Sequence, residues 1–162
     1  MMNKPRSAAL RRRQALAWLA AAIGAMPLAR AATPERVKVE VWKDPGCGCC
    51  KEWVKHLQVN GFEVLAHDVD GPADIRARLG MPDAYGSCHT ARVGGPGGYL
   101  LEGHVPAREV RRLLAERPKA IGLAVPAMPV GSPGMEVGNR RDPYDVLLVT
   151  ADGRASVFQS YR

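Results

Sequence analysis

Hydrophobic residues recur with two different periods between residues 36 and 118, and together these periods predict a mixed α/β domain. Strands are predicted where apolar and polar residues alternate, and helices where apolar residues recur three or four positions apart. The predicted strands are 37–42, 62–69, 88–93 and 99–104, and the predicted helices are 51–59, 72–79 and 106–116. The predicted order is therefore β-α-β-α-β-β-α, in which the first crossover helix favours a parallel pair of strands and the last two strands form a hairpin.

The pattern changes after residue 118. Proline and glycine are frequent in residues 124–139, which show neither period and are predicted to be an irregular loop. Two apolar stretches, 144–150 and 155–161, then flank Asp152-Gly153, which is a strong signal for a β-hairpin. Because both stretches are apolar enough to dock, we expect residues 119–162 to be a C-terminal extension that packs on the same core as residues 36–118.

The positive charge of the chain is concentrated at its N-terminus. The net charge is +7, but residues 1–31 contain six of the basic residues and no acidic one, so the remainder is nearly neutral. No nucleic-acid partner is needed to explain this distribution. Residues 1–31 are predicted to be a secretory signal peptide, because they begin with basic residues, continue with an apolar run over 15–28 and end with small residues. An N-terminal anchor is the alternative.

Residues 1–31 also predict the cellular location of the protein. Arg12-Arg13 before the apolar run is compatible with the twin-arginine route as well as with the general secretory route. The apolar run is too short for a comfortable membrane span, so we expect no stable membrane insertion after cleavage. The predicted location is the periplasm.

All four cysteines follow this segment, and three of them lie on one turn. Cys47, Cys49 and Cys50 occupy the turn between the first strand and the first helix, and Cys88 begins the third strand. The Cys47/Cys50 spacing is typical of thiol–disulfide exchange. Cys49 does not fit a simple dithiol, because a disulfide between the neighbours Cys49 and Cys50 would be badly strained. Three thiolates on one turn are better explained by a soft metal ion.

Sulfur-rich sites favour Cu(I), zinc or iron–sulfur clusters. A zinc site typically uses two well-spaced pairs of ligands, whereas this chain has one dense cluster and one distant cysteine. Export argues against an iron–sulfur cluster, and thiolates that bridge metals allow several ions to share a dense cluster. Copper is the favoured metal, and structural zinc and a plain redox dithiol stay open as alternatives.

Four stretches of the chain resemble the CopG-type copper-resistance proteins of Gram-negative bacteria. They are Lys43-Asp44-Pro45-Gly46-Cys47-Gly48-Cys49-Cys50-Lys51-Glu52-Trp53, Gly86-Ser87-Cys88-His89-Thr90-Ala91, Glu102-Gly103-His104-Val105-Pro106-Ala107 and residues 122–136. The resemblance implies a thioredoxin-like domain over 36–118 with a C-terminal extension that helps to bind metal. It also implies a cysteine-bridged cluster of several copper ions at the Cys-x-Cys-Cys turn, with Cys47, Cys49, Cys50 and Cys88 as ligands, and a role in interconverting Cu(I) and Cu(II).

The chain departs from thioredoxin-like enzymes at one position. Those enzymes place a cis-proline at the start of the third strand, opposite the Cys-x-x-Cys turn. The corresponding stretch here is Ser87-Cys88-His89-Thr90, which has no proline. A cysteine and a histidine at this place weaken the case for a general disulfide exchanger and strengthen the case for a metal.

Two histidines and two methionines are further candidate ligands. His89 follows Cys88, although in a regular strand the two side chains would point to opposite faces. His104 ends the fourth strand, and functional sites are common at the ends of strands. Met128 and Met135 lie in the irregular loop, and their thioethers suit Cu(I), although methionine also fills gaps in cores. His56 and His67 are predicted to be surface or core-edge residues.

The sequence thus predicts an exported copper-binding protein that contributes to copper tolerance. It would sequester the ion, interconvert its valences, or deliver it to an exporter or an electron-transfer partner. Without metal, the oxidising periplasm should convert the thiols to disulfides such as Cys47–Cys50. A periplasmic thiol–disulfide oxidoreductase is the alternative function, and no substrate for turnover follows from the sequence.

Overall fold

Seven strands and three helices form the part of the chain that the structure describes. The structure is a computed structural model that describes residues 35–162, so the predicted signal peptide lies outside the described residues. The helices are α1 Gly48–Val59, α2 Ala73–Leu79 and α3 Ala107–Glu116, and a short 3₁₀ helix spans Asp83–Tyr85. The strands are β1 Lys38–Lys43, β2 Glu63–Asp68, β3 His89–Val93, β4 Tyr99–Gly103, β5 Gly122–Val125, β6 Tyr144–Val149 and β7 Ala155–Tyr161.

All seven strands belong to one mixed sheet, in the order β2-β1-β3-β4-β5-β6-β7. The pairs β1/β2 and β4/β5 are parallel, and the other neighbours are antiparallel. The predicted order β-α-β-α-β-β-α and the parallel first pair are confirmed. The predicted hairpin around Asp152-Gly153 is also confirmed, because Val149 pairs with Ala155 across that turn.

The prediction was wrong at the beginning of the irregular loop. Ala124 and Val125 were expected to be irregular, but they belong to β5, which is buried along its whole length. A strand covered on both faces lacks the alternating polar residues that identify a half-exposed strand. At Gly122 a Cβ atom would lie only 1.9 Å from the carbonyl oxygen of Leu100, so the pairing with β4 requires glycine at this position.

Two apolar clusters cover the two faces of the sheet. The larger cluster contains Trp53 and Leu57 of α1, packed with residues of α3 and with Leu101 of β4. The smaller cluster contains Met81 and Leu100, packed with Leu79 of α2. Because successive strand residues point to opposite faces, the neighbours Leu100 and Leu101 place the two clusters on opposite sides of the sheet. The sheet therefore holds α1 and α3 on the face that carries the larger core.

The loop between β5 and β6 lies against the beginning of α1. Gly134 has a φ of +86°, and a Cβ atom there would lie 2.7 Å from the carbonyl oxygen of Cys49 and 2.8 Å from the amide nitrogen of Trp53. Only glycine allows both this conformation and this approach. Among the described residues, none of the helices has the length and apolarity needed to cross a bilayer.

We expect Gly134→Ala to destabilise the protein more than Gly138→Ala. Gly138 also has a positive φ, of +53°, but nothing lies within 4 Å of the position its Cβ would take. Both variants lose about 1–3 kcal/mol from the unfavourable backbone conformation. The clash with α1 should add about 1–3 kcal/mol at position 134 alone. Urea unfolding of the three proteins checks this, and equal losses in the two variants would contradict the close approach.

Candidate metal centre

Three cysteines lie at the beginning of α1, which starts earlier than the sequence predicts. The helix begins at Gly48 rather than at residue 51, after a turn in which the amide of Cys47 donates to the carbonyl of Asp44 at 3.1 Å. Cys47 is the N-cap residue, and its sulfur accepts a hydrogen bond from the amide of Cys50 at 3.3 Å. The cap directs the sulfur of Cys47 toward the first turn, where Cys49 and Cys50 lie.

Strand pairing brings the fourth cysteine to this turn. Lys43, at the end of β1, pairs with His89, the first residue of β3, so Cys88 comes close to the cysteines of α1. The sulfur of Cys49 lies 3.5 Å from that of Cys47 and 3.9 Å from that of Cys88. All four sulfur atoms lie within 4.8 Å of one another. The structure thus brings together the four predicted cysteines.

Two of the four cysteines are joined by a disulfide bond. Cys47 and Cys50 form a disulfide, which is the pairing that the sequence names, and Cys49 and Cys88 are free. The bonded sulfurs cannot act as thiolates until the disulfide accepts two electrons. The pair therefore has two states, one that closes the disulfide and one that offers two more sulfur donors.

Two buried histidines extend the cluster on the side of Cys88. The sulfur of Cys88 lies 3.4 Å from Nδ1 of His89 and 3.1 Å from Nε2 of His104, and both imidazoles are fully buried. Strand alternation does not separate His89 from Cys88, because β3 begins at His89 and Cys88 lies outside it. Cys88, His89 and His104 form a second group of possible ligands that shares Cys88 with the first.

The loop from the C-terminal extension sets the orientation of His104. Nδ1 of His104 lies 2.8 Å from the carbonyl oxygen of Pro133. A carbonyl oxygen only accepts hydrogen bonds, so Nδ1 carries the hydrogen and Nε2 presents its lone pair to the sulfur of Cys88. A backbone carbonyl that fixes the tautomer in this way is a common support for a metal-binding histidine.

His89 has a buried nitrogen with no partner. Its ring packs against Trp53, with 4.3 Å between the ring centroids, and against His104 at 5.1 Å. Within residues 35–162, Nε2 of His89 makes no hydrogen bond although it is buried. The donor set of four sulfurs and two imidazoles fits a soft or borderline metal ion.

Burial favours the neutral forms of three groups of the centre, His89, His104 and Cys88. Burial, together with the nearby His104, lowers the pKa of His89 to about 3. Burial also lowers the pKa of His104, and the carbonyl of Pro133 and the charge of Glu136 oppose this shift. For Cys88, burial together with the neighbouring Cys49 raises the pKa to about 12. A bound cation would favour the thiolate of Cys88 and could bind the neutral imidazoles, so this environment suits a metal ion.

The two candidate methionines lie in the loop that covers the centre. Met128 is 48% exposed and follows Ala127, whose carbonyl accepts a hydrogen bond from the hydroxyl of Ser87. Met135 is partly buried and follows Gly134, which lies against α1. Ligand roles for both methionines stay predictions.

The other two histidines lie outside the cluster. His56 accepts a hydrogen bond from the amide of Ala107 at 3.0 Å, and His67 lies 3.0 Å from a carboxylate oxygen of Glu40. Neither belongs to the groups of possible metal ligands among the described residues.

The sequence reasoning missed two groups that support the centre. One is the carbonyl of Pro133, which a sequence pattern cannot reveal because every residue has a carbonyl group. The other is Glu102, a fully buried carboxylate that accepts a hydrogen bond from the amide of Ser87 at 2.7 Å. Its signal was a charged residue directly after two leucines in a strand with buried neighbours on both sides.

Two comparisons with known proteins find similar chains. Residues 85–135 match a family described as "Protein of unknown function, DUF411". A solved structure named "Copper resistance protein copG- Form 2" is 47% identical, with a TM-score of 0.73, and the match covers 79% of this chain and 100% of that one. The structure named "Copper resistance protein copG- Form 1" is also 47% identical, with a TM-score of 0.72, over 78% and 98% of the two chains. No curated protein sequence matches the chain.

We expect the metal-free protein with its disulfide closed to lose stability as the pH falls below 6.5. Between pH 6.5 and 3 an unfolded chain protonates His89 whereas the folded protein does not, so the unfolded state binds more protons. The free energy of unfolding should fall by up to about 1.4 kcal/mol per pH unit for this residue. Urea unfolding between pH 6.5 and 5 measures the slope.

His89→Gln should make this slope smaller. Burial also lowers the pKa of His104 and of His56, so part of the pH dependence of stability remains in this variant. The raised pKa of buried Glu102 acts in the opposite direction, and it does so in all variants. Val149→Ala serves as a control, because it destabilises the core without removing a titrating group and should keep the wild-type slope. An unchanged slope in His89→Gln would contradict the assignment.

Proposed function

The chain belongs to the family of the copper resistance protein copG, and on this basis we propose that it is an exported protein that holds several copper ions. The ions bind in a cluster that the sulfurs of Cys47, Cys49, Cys50 and Cys88 bridge. His89 and His104 complete the cluster, and Met128 and Met135 add thioether donors from the covering loop. The protein works in the periplasm, where it contributes to copper tolerance.

The convergence of six donor atoms at one place carries this proposal. The four sulfurs lie within 4.8 Å of one another, and the group of Cys88, His89 and His104 shares one sulfur with them. A tetrahedral zinc ion takes four ligands, so six donors in two overlapping groups exceed what one such ion uses. Sulfur donors this close together favour bridged Cu(I) ions.

The disulfide supports a role in changing the valence of copper. When Cys47 and Cys50 are reduced, their two thiols can reduce two Cu(II) ions to two Cu(I) ions. The two thiols lose two electrons and two protons, and they form the disulfide that the structure contains. Cys49, Cys88 and the two histidines then remain as donors for Cu(I). Reopening the disulfide needs two electrons from a partner of the thiol–disulfide exchange class.

The topology supports a thioredoxin-like domain over residues 36–118. The strand order β2-β1-β3-β4, the parallel first pair and the three helices have the arrangement expected for such a domain. Residues 119–162 form the extension, which joins the same sheet through β5 and supplies the Pro133 carbonyl to His104. The extension thus completes the copper centre.

A thiol–disulfide oxidoreductase is the second candidate function. The observation that favours it is the Cys47–Cys50 disulfide at the N-terminus of α1, where exchange enzymes place their reactive pair. Such an enzyme needs Cys47 and Cys50 but not Cys49, Cys88 or the histidines. Cysteine variants therefore separate the two functions.

We expect the fully reduced protein, loaded with Cu(I) without oxygen, to retain more than one copper ion per chain after passage through a chelating resin. Cys49→Ser and Cys88→Ser should each lose most of this copper, because each removes a bridging sulfur. Elemental analysis measures the copper content. Protein that is loaded with its disulfide closed should retain less copper than the reduced protein.

His67→Gln is the matched control for the metal content, because His67 lies outside the cluster and pairs with Glu40. Its copper content should equal that of the wild type. A structural zinc site instead predicts one zinc ion per chain and unfolding of the protein by chelators. Full copper retention in both Cys49→Ser and Cys88→Ser would refute the proposed cluster.

We also expect the reduced protein to reduce Cu(II) in a fixed ratio. Two Cu(I) ions should appear for each Cys47–Cys50 disulfide that forms, because each thiol supplies one electron. A Cu(I)-specific indicator counts the ions, and mass spectrometry after alkylation counts the disulfides. Cys47→Ser should form neither this disulfide nor the two Cu(I) ions that accompany it. Unchanged Cu(I) formation in Cys47→Ser would contradict the redox step.

A further inference from the structure

A buried charge, Glu102, lies directly behind the turn that carries Cys88. The side chain of Glu102 is fully buried, and three donors surround its carboxylate. They are the amide of Ser87 at 2.7 Å, the hydroxyl of Thr90 at 2.7 Å and the guanidinium of Arg76 at 3.1 Å. The two carboxylate oxygens divide these bonds, since Ser87 and Arg76 contact Oε1 and Thr90 contacts Oε2.

Glu102 gives the amide of Ser87 the hydrogen-bond acceptor that the sheet does not provide. Strand β3 begins at His89, so Ser87 and Cys88 lie outside the ladder that pairs β3 with β1 and β4. An amide that lies outside a ladder and is shielded from water needs another acceptor. Glu102 supplies it from β4, two residues before His104, and thereby links the backbone before Cys88 to the strand that leads to the second histidine.

Arg76 and Gly86 hold the carboxylate and the turn together. The guanidinium of Arg76 also pairs with Asp83, next to the turn, and its side chain is 8% exposed. At Gly86 a Cβ atom would lie 2.9 Å from Cζ of Arg76, so the turn packs directly on the guanidinium. A buried ion pair contributes little net stability compared with apolar residues of the same volume. The effect of this pair is to fix where the carboxylate lies.

We infer that Glu102 is a positioning residue of the metal centre, which holds the amide of Ser87 so that the sulfur of Cys88 faces both Cys49 and Nε2 of His104. Cys88 is the one ligand that the two donor groups share, so a displacement of its sulfur affects both groups at once. The inference rests on the proposed function, because the position of Cys88 matters only if the centre binds metal.

Two conservative substitutions separate the bond to Ser87 from the charge. Glu102→Gln keeps the length of the side chain, and its carbonyl oxygen can still accept from Ser87 and Arg76 while its amide donates to the hydroxyl of Thr90. Glu102→Asp keeps the charge but shortens the side chain by about 1.5 Å. We expect its carboxylate, held by the charge of Arg76 and by Thr90, to lose the bond to Ser87.

We expect Glu102→Asp to weaken the retention of Cu(I) against a competing chelator by about 10–100-fold, which is the usual effect of removing a supporting hydrogen bond. Glu102→Gln should retain Cu(I) like the wild type. Thr90→Val is the control, since it removes one bond to Glu102 and leaves the bond to Ser87 in place. Its unfolding midpoint should fall while its copper retention does not.

Hydrogen exchange in the reduced, metal-free protein tests the same bond without copper. The amide of Ser87 should exchange faster in Glu102→Asp than in the wild type, and not in Glu102→Gln or Thr90→Val. Copper retention by Glu102→Asp equal to that of the wild type overturns the positioning role and leaves the proposed function intact. Equal losses in Glu102→Asp and Glu102→Gln also overturn it. A wild-type protein that retains no copper overturns the proposed function itself.

Discussion

The pairing of the end of β1 with the start of β3 is the constraint on which the centre depends. Lys43 and His89 are opposite each other in this pairing, so the turn after β1 and the residue before β3 must meet at one edge of the sheet. The helix cap at Cys47 then turns the first cysteines toward Cys88. Backbone hydrogen bonds of the sheet, rather than contacts between the sulfurs, bring the four cysteines together.

The centre also depends on polar groups that are each held in place by a hydrogen bond of defined direction. His104 is oriented by the carbonyl of Pro133, and the turn before Cys88 is held by Glu102. In an interior of low dielectric constant, such bonds are strong and their absence is costly. The centre is therefore preorganised by groups that come from β4 and from the loop after β5, far apart in the sequence.

Burial also explains why the same sulfurs can serve both copper and a disulfide. The partly buried thiol of Cys88, next to Cys49, resists ionisation. The sulfurs of such a centre are stable as neutral thiols, in a disulfide, or as thiolates neutralised by a cation. Cys47 and Cys50 can change between the last two of these states by exchanging two electrons. The proposed valence change of copper uses this exchange, and the histidines keep neutral donors available in each state.

The sequence by itself determined the parts of this protein that local patterns encode. Strand alternation, helical spacing and the Asp152-Gly153 turn predicted the element order, and the dense cysteines predicted a sulfur-rich centre. Only the tertiary structure decided what depends on contacts between distant residues. It revealed β5, whose burial on both faces removes the alternating pattern, and it showed that Pro133 and Glu102 hold the centre through bonds across the fold. A local pattern cannot record such bonds, because the acceptor and the group it holds are brought together only when the sheet forms.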